Sequence, residues 1–187
     1  MPPGWGRRWA RSKTSSMDRP DRVPVGRCLG VDVGEARVGV AECDPDGILA
    51  TPVETLARDH EPTKTDLYAV ARLATDRTAR VVYVGLPRSL SGAEGEAARR
   101  SRDYARELAG LLPSGSVRLV DERLTTVQSH RQLHASGRAG REHRAVVDQV
   151  AAVLILQGAL DAERSTGALP GVVVTAVGRK PRTKERS

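Results

Sequence analysis

Three acidic positions interrupt apolar runs in this chain. Asp32 lies within Leu29-Gly30-Val31-Asp32-Val33-Gly34, where the neighbours have strand character. Asp121 and Glu122 follow directly on Val117-Arg118-Leu119-Val120, and Asp148 stands near the start of the run Val146 to Leu156. Burying an unpaired carboxylate costs several kcal/mol, so each position needs a partner. For one acid alone, backbone N–H groups at a turn would suffice. Three such intrusions suit another chemistry. An all-oxygen cluster matches Mg²⁺ or Mn²⁺, which take hard oxygen ligands. Two such ions a few ångström apart bring water to attack a phosphodiester and stabilise the leaving oxygen. Asp32, the adjacent pair Asp121 and Glu122, and Asp148 are the candidate catalytic and metal-binding residues. They are far apart in sequence, so the fold must bring them together.

Apolar runs over 28–33, 37–43 and 48–55 read as an antiparallel meander, with Asp44-Pro45-Asp46-Gly47 as a turn between the second and third. Residues 63–77 place Leu67, Val70, Ala71 and Ala74 on one helical face. Val81-Val82-Tyr83-Val84, ending in Gly85-Leu86-Pro87, has the pattern of a buried parallel strand. A long helix follows over 93–112, then a strand over 117–120. A helix capped by Thr125 or Thr126 runs to about Ala135, and Gly137 to Gly140 forms a flexible break. The last helix covers roughly 142–163. It is apolar almost all round, which predicts burial, and the positions three, four and seven residues after Asp148 are Ala151, Ala152 and Ile155. The order describes an α/β domain with a mixed sheet flanked by helices. A two-residue turn at Glu35-Ala36 makes hairpin partners sum to 71. Cys28 then faces Cys43 as a reduced pair, and Asp32 faces Gly39, which leaves space beside the carboxylate.

The formal charge of +7 over 187 residues is unevenly distributed. Residues 1–27 hold seven Lys/Arg and two Asp/Glu, and residues 165–187 hold five and one. The stretch between them carries a net −2. Basic tails attract nucleic acid without sequence preference, or serve simply as solubilising segments. Residues 1–25 mix Pro, Gly, Arg and Ser without hydrophobic period and read as a disordered tail, with Met17 an alternative start. Residues 26–164 read as one domain, and 165–187 as a mostly disordered basic tail in which Val172 to Val174 could add a short strand. Two cysteines make no disulfide framework or Cys-rich zinc site. With no secretory segment or membrane-length apolar run, the expected location is cytoplasmic.

The motifs Leu-Gly-Val-Asp-Val-Gly-Glu-Ala-Arg-Val-Gly-Val-Ala (29–41), Val-Gly-Leu-Pro (84–87), Asp-Glu-Arg-Leu-Thr-Thr (121–126) and Val-Asp-Gln-Val-Ala-Ala-Val-Leu-Ile-Leu-Gln (147–157) occur in that order. Together they resemble the YqgF family, bacterial proteins named as pre-16S rRNA nucleases and also described as Holliday junction resolvases. The resemblance spans about residues 27–163. It implies an RNase H-like fold, a mixed five-stranded sheet in which an antiparallel three-strand meander precedes parallel strands. It also implies divalent-metal-dependent hydrolysis of a nucleic-acid backbone, leaving 5′-phosphate and 3′-hydroxyl ends. The family's acidic positions fall on Asp32, Glu122 and Asp148. Where family members often carry a Lys-rich run before the last acid, this chain has Arg141, His143 and Arg144.

Arg88, Arg123, Arg141 and Arg144 are candidate phosphate contacts, since guanidinium binds phosphate in bidentate fashion. Arg88 reads equally as a solvated loop residue and Arg123 as half of an ion pair. The arginines of 99–106 alternate with acids and read as a solvated face. His130, His134 and His143 lack metal-ligand spacing. The expected partner is structured RNA or branched DNA, met by a monomer or a homodimer; paired cuts in a four-way junction require two sites. Two other classes compete. The Asp32-Val33-Gly34 hairpin resembles the first phosphate loop of actin/sugar-kinase folds, but there is no later Asp-x-Gly-Gly element and too little chain for a second lobe. A non-catalytic ribosome-assembly factor is the third class, and the retained acids argue against it.

Overall fold

A computed structural model describes residues 26–87, 95–113, 116–121 and 141–176, with side chains from residue 149 onward in the last of these segments. The strands are β1 (Cys28–Val33), β2 (Arg37–Cys43), β3 (Ala50–Ala57), β4 (Val81–Leu86), β5 (Val117–Asp121) and β6 (Val172–Val173). The helices are α1 (Thr65–Asp76), α2 (Glu96–Ala109) and α3 (Arg141–Thr166). The strands form one sheet in the order β3-β2-β1-β4-β5-β6. β1, β2 and β3 are antiparallel neighbours, and β1, β4 and β5 run parallel. This is the mixed α/β arrangement expected, with a sixth strand added to the expected five.

Strand β6 comes from the segment assigned to the C-terminal tail. It pairs antiparallel with β5. The Arg118 guanidinium fixes the approach by donating to the carbonyls of Leu169, Pro170 and Gly171 at 3.0, 2.7 and 2.9 Å. Val174 is then buried beside the start of β5, its N–H donating to the Val117 carbonyl at 2.9 Å. The third strand also differs from expectation, at 50–57 rather than 48–55. The Asp44 carboxylate accepts the N–H groups of Ile48 and Leu49 at 2.6 and 3.0 Å, which keeps both residues in the turn.

Every residue of β1 and β4 is buried, because both sheet faces are covered. On one face Leu29, Val31, Val38, Val40, Val82 and Val84 pack with α1 and α2. On the other, Cys28, Ala41, Cys43, Val81, Tyr83 and Val120 pack with Ala152, Ile155, Leu156, Ala159 and Leu160 of α3. The expectation that α3 is buried all round does not hold. Among the described residues it is the one helix on its face of the sheet, and Val150 on it is exposed. The hairpin register is as expected, with Asp32 opposite Gly39 and partners from Leu29 and Glu42 to Val33 and Val38 summing to 71. Cys28 and Cys43 are buried free thiols, and the Cys28 N–H donates to the Cys43 sulfur at 3.0 Å. A second bond, between the two side-chain sulfurs, together with burial pushes the Cys28 thiol up; Cys43, which accepts from the Cys28 thiol and N–H, is lowered.

Helix α1 has no side-chain N-cap at Lys64, which is left-handed at φ 44. Asp59 takes over that role from five residues upstream. Its carboxylate accepts the Thr65 N–H at 2.8 Å, the Thr63 and Thr65 hydroxyls at 2.8 and 2.9 Å, and the Glu61 N–H at 3.0 Å. These bonds, the Thr65 N–H foremost, hold its carboxyl well below the usual range. A depressed folded-state pKa contributes stability above the unfolded value of about 3.9, and that contribution is lost as pH falls below it. Thermal melts between pH 5 and pH 2 are therefore expected to fall less steeply for Asp59→Asn than for wild type. Parallel slopes would show that the bracket contributes nothing to the acid limb.

Candidate active site

Asp32 is the penultimate residue of β1, at the C-terminal edge of the parallel strands, and is 8% exposed. Side chains alternate along a strand, so Asp32 shares its face with Cys28 and Gly30, the face covered by α3. Its cross-strand neighbour Gly39 has no side chain to crowd the carboxylate. Gly30 has a stricter role. A Cβ there would lie 2.6 Å from Leu156 Cβ and 2.7 Å from the Ala152 carbonyl oxygen. The helix therefore rests directly on the strand backbone, as the small residues Ala151 and Ala152 allow.

That contact sets the height of α3 along β1. Two residues of strand advance about 6.6 Å and one helical turn about 5.4 Å. Moving from Gly30 to Asp32 therefore runs about one helical turn toward the N-terminus of α3. Two further contacts hold α3 in this place. Gln157 accepts the Ala50 N–H at 2.9 Å and donates to the Ile48 carbonyl at 3.0 Å. At the other edge, Arg80 donates to both oxygens of the Glu163 carboxylate at 2.7 Å. Nearly buried, Glu163 sits at the foot of the helix, close to the Tyr83 hydroxyl.

The hairpin turn beside Asp32 is held independently. The Gly34 N–H donates to the Arg37 carbonyl at 2.8 Å, and the Arg58 N–H to the Ala36 carbonyl at 2.9 Å. The His60 ring nitrogen Nε2 lies 3.0 Å from the Glu35 carbonyl oxygen. Arg58 is itself anchored by the buried Asp66 carboxylate at 2.6 Å and stacks 4.7 Å over the Tyr104 ring. Burial pushes the Tyr104 phenol up, so it stays neutral. Sequence reasoning did not single out Gly30, Arg58, Asp66 or Gln157. Gly30 and Gln157 act through contacts distant in sequence, and Arg58 through the Tyr104 ring.

Asp121 closes β5, level with Leu86 of β4. Val117 and Leu119 face α1 and α2 while Val120 faces α3. Alternation puts Asp121 on the side of Val117 and Leu119, across the sheet from Asp32. Glu122, Arg88, Arg123, the 125–135 helix and the 137–140 break lie outside the described residues, as do the side chains of Arg141, Arg144 and Asp148. Among the described residues no group of three His, Cys, Asp or Glu side chains gathers as a metal cluster. The donor that is placed fits a hard cation: a nearly buried carboxylate with a glycine opposite it. Among the described residues no helix is long and apolar enough to cross a membrane.

Residues 26–162 match the family described as RuvX, Holliday junction resolvase. A Nocardioides protein named "Putative pre-16S rRNA nuclease" is 54% identical over 155 residues, covering 80% of this chain and 97% of that protein. A Streptomyces coelicolor protein of the same name is 49% identical over 166 residues, covering 88% and 98%. Among solved structures, Thermus thermophilus RuvC in complex with a Holliday junction substrate aligns with a TM-score of 0.42 at 16% identity, covering 78% of this chain and 99% of that one.

Proposed function

Because the chain belongs to the RuvX family, we propose that it hydrolyses nucleic-acid phosphodiester bonds with divalent metal, acting at the 5′ end of pre-16S rRNA. What supports this reading is a nearly buried carboxylate, Asp32, at the C-terminal edge of the parallel strands, with α3 seated on the same strand at Gly30. The proposed ligand set is Asp32, Glu122 and Asp148, holding two Mg²⁺ or Mn²⁺ ions. When bound, such ions supply a nucleophilic water and shield the charge of the leaving oxygen.

The chain's own residues have distinct tasks. Asp32, rigid within a fully buried strand, fixes the position of the ligand set. Gly39 leaves the space beside it open to a phosphate. Strand alternation puts Asp121 on the face away from Asp32, which counts against it as a ligand and leaves Glu122 as the acid of that motif proposed here. Arg88, Arg123, Arg141 and Arg144 are assigned to the phosphate backbone, which positions the substrate without reading its bases. The names of the relatives support RNA as the substrate. A four-way DNA junction is the second reading, supported by the family's description, and it calls for a homodimer.

The test uses end-labelled RNA spanning the 5′ boundary of the small-subunit rRNA and a labelled four-way junction, each with Mg²⁺ or Mn²⁺ and with EDTA. The expected result is metal-dependent cleavage of the RNA leaving a 5′-phosphate. Cleavage of the junction alone would move the assignment to the second reading. No cleavage of either substrate would overturn the nuclease proposal.

A further inference from the structure

Among the described residues, the two neighbours of β1 do not support it equally far. Its parallel pairs with β4 run from Cys28–Val81 to Val31–Val84. Its antiparallel pairs with β2 continue through Asp32–Gly39 to Val33–Val38. The ladder partner of Asp32 is thus Gly39, on a hairpin that turns through the exposed residues Glu35 and Ala36. Local opening begins where backbone is exposed and few buried contacts hold it. One pair, Val33–Val38, stands between that turn and Asp32.

The turn is tied down from the end of β3. Ala57 pairs with Arg37, and the Arg58 N–H donates to the Ala36 carbonyl at 2.9 Å. The His60 Nε2 lies 3.0 Å from the Glu35 carbonyl oxygen. Residues 58–60 therefore meet both carbonyls of the turn. One carboxylate fixes that segment in its place. Asp66, 2% exposed in the first turn of α1, accepts from Arg58 Nη1 at 2.6 Å and from the Asp59 N–H at 3.3 Å. The Arg58 guanidinium lies over the Tyr104 ring of α2, and its Nε has no hydrogen-bond acceptor among the described residues. An ion pair on one edge and a ring on one face thus set the guanidinium plane. A buried ion pair is a poor source of stability, because desolvation of both charges offsets most of their attraction. What it supplies is direction. An apolar pair of similar volume would fill the space without fixing the backbone of residue 58 against the turn.

We propose that Arg58 and Asp66 are positioning residues for Asp32, acting through the Glu35-Ala36 turn. The inference rests on the reading of Asp32 as a metal ligand. It gives the α1 and α2 side of the sheet a part in placing a carboxylate that faces α3.

The experiment uses the full chain carrying Arg58→Met together with Asp66→Asn. This pair of changes leaves no buried charge unpaired and keeps an acceptor for the Asp59 N–H, so the variant is expected to fold, with a melting temperature within about 5 °C of wild type. Val70→Ala, which opens a cavity beneath α1, is the control for lost stability. Three quantities are read well below the melting temperatures: amide hydrogen exchange at Gly34 and at position 58, affinity for Mn²⁺ alone by electron paramagnetic resonance, and kcat and KM on the labelled RNA. The double variant is expected to exchange both amides about 10-fold faster. It should bind Mn²⁺ about 10-fold more weakly and lose about 10- to 100-fold in kcat, with KM within about twofold. Val70→Ala should match wild type in all three. Unchanged exchange, or faster exchange with wild-type Mn²⁺ affinity and kcat, would overturn the positioning role, and equal losses in Val70→Ala would reduce it to stability. Asp32→Asn, measured alongside, separates this inference from the reading beneath it. Losses in Asp32→Asn but not in the double variant would overturn the positioning role alone. Mn²⁺ affinity and cleavage in Asp32→Asn equal to wild type would refute the metal site, and the positioning role with it.

Discussion

Asp32→Asn is expected to lower kcat by on the order of 10³-fold or more while leaving the fold intact. Asn has nearly the shape of Asp, so the packing of β1 against Gly39 and α3 is kept and only the charge is removed. A carboxylate that holds a cation at the reacting phosphate acts on charge that develops in the transition state, and losing one such electrostatic contact typically costs 10²- to 10³-fold. Loss of ion occupancy adds to this. The melting temperature is expected to stay within a few degrees of wild type, because no apolar surface or volume changes in a strand buried on both faces. Asp148→Asn is expected to have an effect of similar size. The double variant should be little worse than either single one, since residues that act as one cluster are not additive. RNA binding in EDTA should be retained in all three. Full cleavage by Asp32→Asn would sink the active site proposed here, whatever the fold.

The sequence was most informative where structure is local. The two-residue turn at Glu35-Ala36 specified the hairpin register, and with it the pairing of Asp32 with Gly39 and of the two cysteines. The bounds of β1 and β2 follow from apolar runs closed by turn residues. Other features depend on contacts that no periodicity reports. The apolar circumference of α3 pointed to complete burial, yet among the described residues Val150, on that apolar run, is exposed. Strand β6 depends on Arg118 capturing three carbonyls about fifty residues away, so its two valines alone were a weak signal. Asp121 and Glu122 are adjacent in one motif and look interchangeable there. The sheet distinguishes them, because alternation assigns Asp121 to the α1 and α2 side. Gly30 is the clearest case. It reads as an unremarkable strand glycine until α3 is seen lying on it.

Gly30→Ala is accordingly expected to do damage out of proportion to one methyl group. The added Cβ would meet Leu156 Cβ at 2.6 Å and the Ala152 carbonyl oxygen at 2.7 Å. The second contact is with backbone inside a helix, so no side-chain rotation relieves it, and shortening Leu156 to Ala keeps the first. The whole helix must move. Overpacking in a filled core costs about 1–3 kcal/mol and occasionally more; with a backbone clash the upper end applies, a fall in melting temperature on the order of 10 °C for a chain of this size. Activity should fall further than stability. The contact that fails is the one that seats α3, the helix carrying the proposed ligand Asp148, on β1, and a displacement of about 1 Å in a reacting geometry costs around 10²-fold in rate. Val70→Ala separates the two effects. Val70 is fully buried on α1, against the opposite face of the sheet, and its truncation should cost about 2 kcal/mol through a cavity without moving α3. Well below both melting temperatures, Val70→Ala is expected to cleave at close to the wild-type rate and Gly30→Ala at a few per cent of it or less. Equal rates in the two variants would show that the seat of α3 on β1 serves stability alone, and would leave the proposed convergence of Asp32 and Asp148 without its structural basis.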